Sequence, residues 1–156
     1  MRYEIHLYVP KTGYLTPAMM EWMFQYGQEA GKPEWHWPVR KLNPRALARL
    51  MLKLDPTLIP LPGRGTDVEL RFAMPQVDLS LYVHDRGAII FFPYTADTLL
   101  RVVLGITYTY IRYLYDAAGF WSYDPQLNVL SYADDFNSID ETAALMEALL
   151  PKMIES

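Results

Sequence analysis

Polar and apolar residues alternate at the start of the chain. Tyr3, Ile5, Leu7 and Val9 interleave with Glu4, His6 and Tyr8, which predicts a strand with one dry face. Two further alternating runs follow: Val68, Leu70 and Phe72, then Val77, Leu79, Leu81 and Val83. Residues 88–92 are apolar throughout and read as a central strand buried on both sides. Between the last two runs, His84-Asp85-Arg86-Gly87 has the composition of a hairpin turn. Short strands are also predicted at Phe120–Tyr123 and Val129–Tyr132.

Helical spacing appears in four places. Thr16-Pro17 and Asn43-Pro44 each pair an N-cap residue with proline at the first helical position. The first opens a helix with Met20, Met23, Phe24 and Gly27 on one face, ending at Gly31. The second carries Leu47, Leu50, Met51 and Leu54 inward, with Arg45, Arg49 and Lys53 opposite. The longest runs from Thr95 to Ala118 with Gly119 as its stop, and it is the expected core helix. Ser138 caps a last helix, with Asp140 and Glu141 in its first turn. Residues 57–65, rich in proline and glycine, read as a loop.

The resulting order is β-α-α-β-β-β-α-β-(β)-α. Strands grouped together, with helices before and after, predict an α+β fold. The expectation is one domain over residues 1–156, a mainly antiparallel sheet of about five strands with helices packed on one face. The opposite face would then stay wet.

Composition narrows the chemistry. With 51% hydrophobic and 21% charged residues, the chain can bury a core and does not resemble a disordered segment. Cysteine is absent, which removes disulfides, thiolate catalysis and cysteine-based zinc sites. The long apolar helix carries Arg101 and Arg112, so no membrane span is expected. MRYEIHLYVPK reads as a strand rather than a signal peptide, and a cytoplasmic location is expected. Arg40, Lys41, Arg45, Arg49 and Lys53 form a local basic stretch, yet a net charge of −4 disfavours nucleic acid as a partner.

Candidate chemistry is sparse. The polar face of the sheet would gather Glu4, His6, Tyr8, Glu69, Arg71, Asp78, Tyr82 and His84, a mixed-charge, tyrosine-bearing surface suited to a protein partner. The bland alternative is a solvated sheet face. Tyr123, Asp124 and Gln126 are candidates for ligand binding, against the alternative that Asp124-Pro125 is a turn which stops the strand. Trp35-His36-Trp37 could stack a base or sugar, or plug a core edge. His6, His36 and His84 lack ligand spacing, so neither metal nor cofactor is expected. Phosphate-loop, dinucleotide and GxSxG patterns are missing, so no catalytic residue is assigned.

Ala117 to Gln126, with the sequence AAGFWSYDPQ, and more weakly Met1–Val9, carry a resemblance. The chain resembles a loose group of small bacterial proteins in which a helix runs into a GFxxYDPQ-like stretch. Some members lie beside polymorphic toxins and are presumed immunity proteins. The resemblance implies binding rather than catalysis. The leading expectation is therefore a protein-interaction module of immunity-like type. The alternative is a small-molecule-binding or hydrolase-like protein, with a pocket at the sheet edge involving His6, Asp78, His84 and Asp124.

Overall fold

The computed structural model describes residues 2–26, 37–74, 76–93, 99–132, 141–146 and 148. The element order is β1 (Arg2–Tyr8), α1 (Pro17–Tyr26), α2 (Pro44–Leu54), β2 (Ile59–Pro62), β3 (Val68–Arg71), β4 (Ser80–His84), β5 (Gly87–Pro93), α3 (Leu99–Ala118), β6 (Trp121–Asp124) and β7 (Val129–Ser131). Residues 141–146 are helical and are called α4. The expected Gly31 stop, Trp35, His36, the Thr95 start of the long helix and the Ser138 cap lie outside the described residues.

Among the described residues all the strands join one antiparallel sheet of seven, in the order β2-β3-β4-β5-β1-β6-β7. This exceeds the five strands expected. The extra strand is β2, which falls where proline suggested a loop. Pro60 and Pro62 sit on alternate residues of an edge strand, a position where the missing amide need not break the ladder. β4 begins later than the alternation implied. Val77 and Leu79 are buried but tied into local turns, Val77 N–H to Met74 O and Leu79 N–H to Val77 O. Val129–Ser131 does form the short last strand.

The helix starts behave as their sequences require. Asn43 Oδ1 accepts from the amides of Arg45 and Ala46, and Thr16 Oγ1 accepts from Met19 N–H. At the far end of α3, Gly119 adopts φ +74° and donates to Tyr115 O, while Phe120 N–H reaches Leu114 O.

One face of the sheet carries the main core. Ile5, Leu7, Leu70, Leu81, Ile90 and Phe92 pack against Leu47 and Met51 of α2 and against Leu100, Leu104, Ile111 and Leu114 of α3. Ala143 and Met146 of α4 join the same cluster. The opposite face is not left open, which corrects the expectation of helices on one face. Tyr8 and Tyr123, which point to that side, cluster with Met20 and Met23 of α1 and with Leu15 and Val39. The physical reason is the composition of that face. Ile89, Phe91, Trp121 and Tyr123 share it with the polar residues, and this much apolar area favours a cover.

The segment after Trp37 crosses between the two faces. Val39 bridges Pro10, Arg40 N–H donates to Val9 O, and Leu42 N–H donates to Asp85 O. It thereby leads from the α1 side to the start of α2.

Candidate functional site

β1 places Glu4, His6 and Tyr8 in a row, because every second residue of a strand projects to the same side. His6 Nε2 lies 3.0 Å from Glu4 Oε2, and His6 Nδ1 lies 3.2 Å from Tyr8 Oη. In the tautomer with its proton on Nε2, the neutral ring donates to Glu4 Oε2 and accepts the Tyr8 hydroxyl at Nδ1. Burial pulls the His6 pKa below its ordinary value, opposed by the hydrogen bond and charge of Glu4. Burial also raises the Tyr8 pKa, so its hydroxyl stays protonated. His6 and Tyr8 are only 6% and 5% exposed, so neither can serve as an exposed docking anchor.

β4 brings in His84. Its Nδ1 accepts from the Arg86 amide at 3.1 Å, which leaves the proton of the neutral ring on Nε2. Burial is the main cause of a lowered His84 pKa; Asp67 and Asp85 oppose it, and His6 reinforces it. The Tyr8 ring lies between the two imidazoles, stacked on His6 at 6.0 Å and edge-on to His84 at 6.5 Å.

α1 and the crossing segment wall this region into a half-open cavity of about 220 Å³. Its apolar wall is Met23, Phe24, Trp37 and Ile89. Its polar wall is His6, Tyr8, His84, Asp85 and Arg86. Phe24 packs edge-on to His6 at 4.9 Å and tilts against Tyr123 at 5.5 Å. Arg86 is buried, with its guanidinium 5.0 Å from the Trp37 ring centroid and a 3.5 Å contact to Val39 O. Trp37 Nε1–H is buried and has no hydrogen-bond partner among the described residues.

The remaining residues expected on the partner surface divide. Glu69, Arg71 and Tyr82 share the face by register. Tyr82 is already engaged: its hydroxyl donates to Asp67 Oδ2 at 2.9 Å and accepts from Arg64 N–H at 3.0 Å, pinning the turn before β3. Glu69 and Arg71 pair at 3.6 Å. Asp78 is exposed on the irregular segment before β4. The pocket anticipated from His6, Asp78, His84 and Asp124 therefore does not assemble. His6 and His84 line the cavity, whereas Asp124 bonds Tyr3 on the opposite face.

The Tyr123-Asp124-Pro125-Gln126 stretch has a clear structural task. The register that pairs His6 with Tyr123 would set Glu4 opposite Pro125, which has no amide to donate. The Gln126 carboxamide fills the gap, accepting from Glu4 N–H at 3.1 Å and donating to Glu4 O at 2.8 Å. Asp124 Oδ1 accepts from Gln126 N–H, Gln126 Nε2 and Leu127 N–H, while Oδ2 accepts the Tyr3 hydroxyl. Tyr123 Oη donates to Asn128 Oδ1 at 2.8 Å. These side chains lock the β6–β7 turn to β1.

Sequence reasoning selected His6, Tyr8 and His84 but missed Phe24, Trp37, Asp85, Arg86 and Ile89 as their neighbours. The sequence places Phe24 on the apolar side of its helix and leaves Trp37 between a stacking surface for a base or sugar and a core plug. Arg86 read only as a turn residue, and nothing local signals its burial. Among the described residues, no cluster of His, Asp and Glu has metal-holding geometry, and no helix is long and apolar enough to cross a membrane. No family model, curated protein or solved structure matches the chain.

Proposed function

We propose that this protein binds a small molecule in the cavity between α1 and the sheet, and that it acts by binding rather than catalysis. One observation carries the reading. Two histidines, a tyrosine and a buried arginine converge with four apolar or aromatic side chains around one concavity, the arrangement expected of a ligand site. At about 220 Å³ the space lies below the common range for drug-sized ligands, which starts at ~300 Å³, so the ligand is compact. Both imidazoles are held neutral by burial and fixed in tautomer by their partners, so they supply oriented hydrogen bonds rather than charge.

The test is equilibrium dialysis of the folded protein against a pool of small metabolites, read by mass spectrometry. Ile89→Trp, which fills the cavity, is the control. Compounds retained by the natural chain and lost with Ile89→Trp support the proposal. Identical retention by both proteins, or none by either, overturns it.

A protein-interaction role, immunity-like as the AAGFWSYDPQ stretch suggests, is the second reading. Its support is the β2–β4 half of the same face, where Ile59 is 47% exposed and Arg71 is also exposed. That surface would meet a protein partner through Ile59, Glu69 and Arg71. Arg71→Glu would weaken such a complex and leave small-molecule retention unchanged.

A further inference from the structure

We infer that the cavity takes a single planar aromatic ring with hydrogen-bond acceptors along one edge, a proposal that rests on the ligand-binding reading above. Size sets the first limit. An apolar cavity of about 150 Å³ accommodates one benzene ring. The 220 Å³ found here leaves room for one ring with a small substituent.

Wall shape sets the second limit. Tyr8, Phe24 and Trp37 contribute flat surfaces, and Met23 is a flexible filler beside them. Flat walls reward a flat ligand, because stacked and edge-on ring contacts add to simple area burial. Arg86 already lies against the Trp37 ring, so this corner also offers a cationic plane.

Hydrogen-bonding polarity sets the third limit, and it is lopsided. His84 carries its ring proton on Nε2, because Nδ1 is occupied by the Arg86 amide. Trp37 Nε1–H is buried with no acceptor among the described residues. The Arg86 guanidinium can only donate. Against these donors stand Asp85, and Tyr8 Oη, whose proton is directed to His6. A buried donor such as Trp37 Nε1–H, without an acceptor among the described residues, is costly, and a ligand supplying an acceptor there recovers that cost. A neutral heterocycle such as a pyridine amide or pyrimidine dione has the required edge, as does an aromatic carboxylate.

The experiment is an NMR titration of the ¹⁵N-labelled protein, following the indole N–H of Trp37 and the imidazole of His84. The Trp37 signal is assigned with Trp37→Phe. The probes are nicotinamide, uracil, benzoate and cyclohexanecarboxamide, the last a saturated ring of similar size. Planar probes are expected to shift both signals and to bind about two- to twelvefold tighter than the saturated one, the worth of ring stacking. Tighter binding of benzoate identifies the carboxylate form of the ligand, and tighter binding of nicotinamide or uracil the neutral form. Equal or stronger binding of cyclohexanecarboxamide overturns the planar-ring inference but leaves the cavity a ligand site. Binding by none of the four overturns the inference too, and the dialysis with Ile89→Trp then decides the underlying reading separately.

Discussion

The two faces of one sheet are built on different principles. The face under α2 and α3 is aliphatic and closed, with Leu7, Leu81, Ile90, Leu104 and Leu114 all but inaccessible. The face under α1 is aromatic and polar, and it holds a cavity where the first holds packed side chains. Both use the same strands, so alternate residues of β1, β4 and β5 serve opposite purposes. One set secures the fold. The other is arranged around a space, with polar groups whose geometry is fixed by Glu4, Tyr8 and the Arg86 amide. The lesson is that a polar row on a strand need not be a solvent face; a short helix can roof it and turn it into a lined cavity.

The largest expected effect breaks the aliphatic face. Leu104→Asp leaves an unpaired charge in the core and should cost more than about 4 kcal/mol, abolishing folding in a thermal melt. Phe24→Asp, at a position 37% exposed, should cost only about 1 kcal/mol while eliminating ligand retention. Similar costs for the two would erase the distinction between the faces.

Gly87→Ala ranks next, because it strikes the hairpin that serves both faces. Gly87 adopts φ +152°, and an added Cβ would lie 2.0 Å from the Leu7 carbonyl oxygen. The nearest atom is backbone rather than the end of a flexible side chain, so it cannot simply yield, and a loss of about 3 kcal/mol in urea unfolding is expected. Asp124→Ala removes the acceptor shared by Tyr3, Gln126 and Leu127. It should cost about 2–3 kcal/mol, more than the ~1 kcal/mol of a simple turn cap, and leave ligand binding intact.

The smallest effect concerns pH and isolates the α1 face. Burial holds His6 and His84 below the ordinary histidine value of about 6.5. The unfolded chain therefore takes up more protons than the folded one as pH falls, and stability declines from about pH 7 toward pH 5. Facing charges moderate this: Glu4 and Asp124 for His6, Asp67 and Asp85 for His84. The double variant His6→Gln, His84→Gln should flatten the melting-temperature profile over that window. An unchanged slope would show that the histidines do not control it.

Much of the fold was legible because its signals are local. Asn43-Pro44 sets an N-cap and a helical φ within neighbouring residues, and Gly119 supplies the one conformation that ends α3 cleanly. Alternation in β1 and β4 identified the two sets of residues correctly. β2 was missed because proline speaks for a loop until an edge position explains it. The cavity was half legible. His6, Tyr8 and His84 stood out as polar residues on one face, but nothing near Arg86 or Trp37 announces that they meet.

By itself, the chain's residue order determined which segments became strands and helices, which side of each strand was greasy, and where the helices began. Those properties depend on backbone preference and short-range periodicity. Only tertiary structure decided that α1 would lie over the tyrosine-bearing face, that Gln126 would substitute for a proline amide opposite Glu4, and that residues from β1, α1, β4 and the crossing segment would line one space. Each of these depends on contacts between residues far apart in sequence, whose free energy exists only once the sheet has assembled and apolar area can be buried on both of its sides.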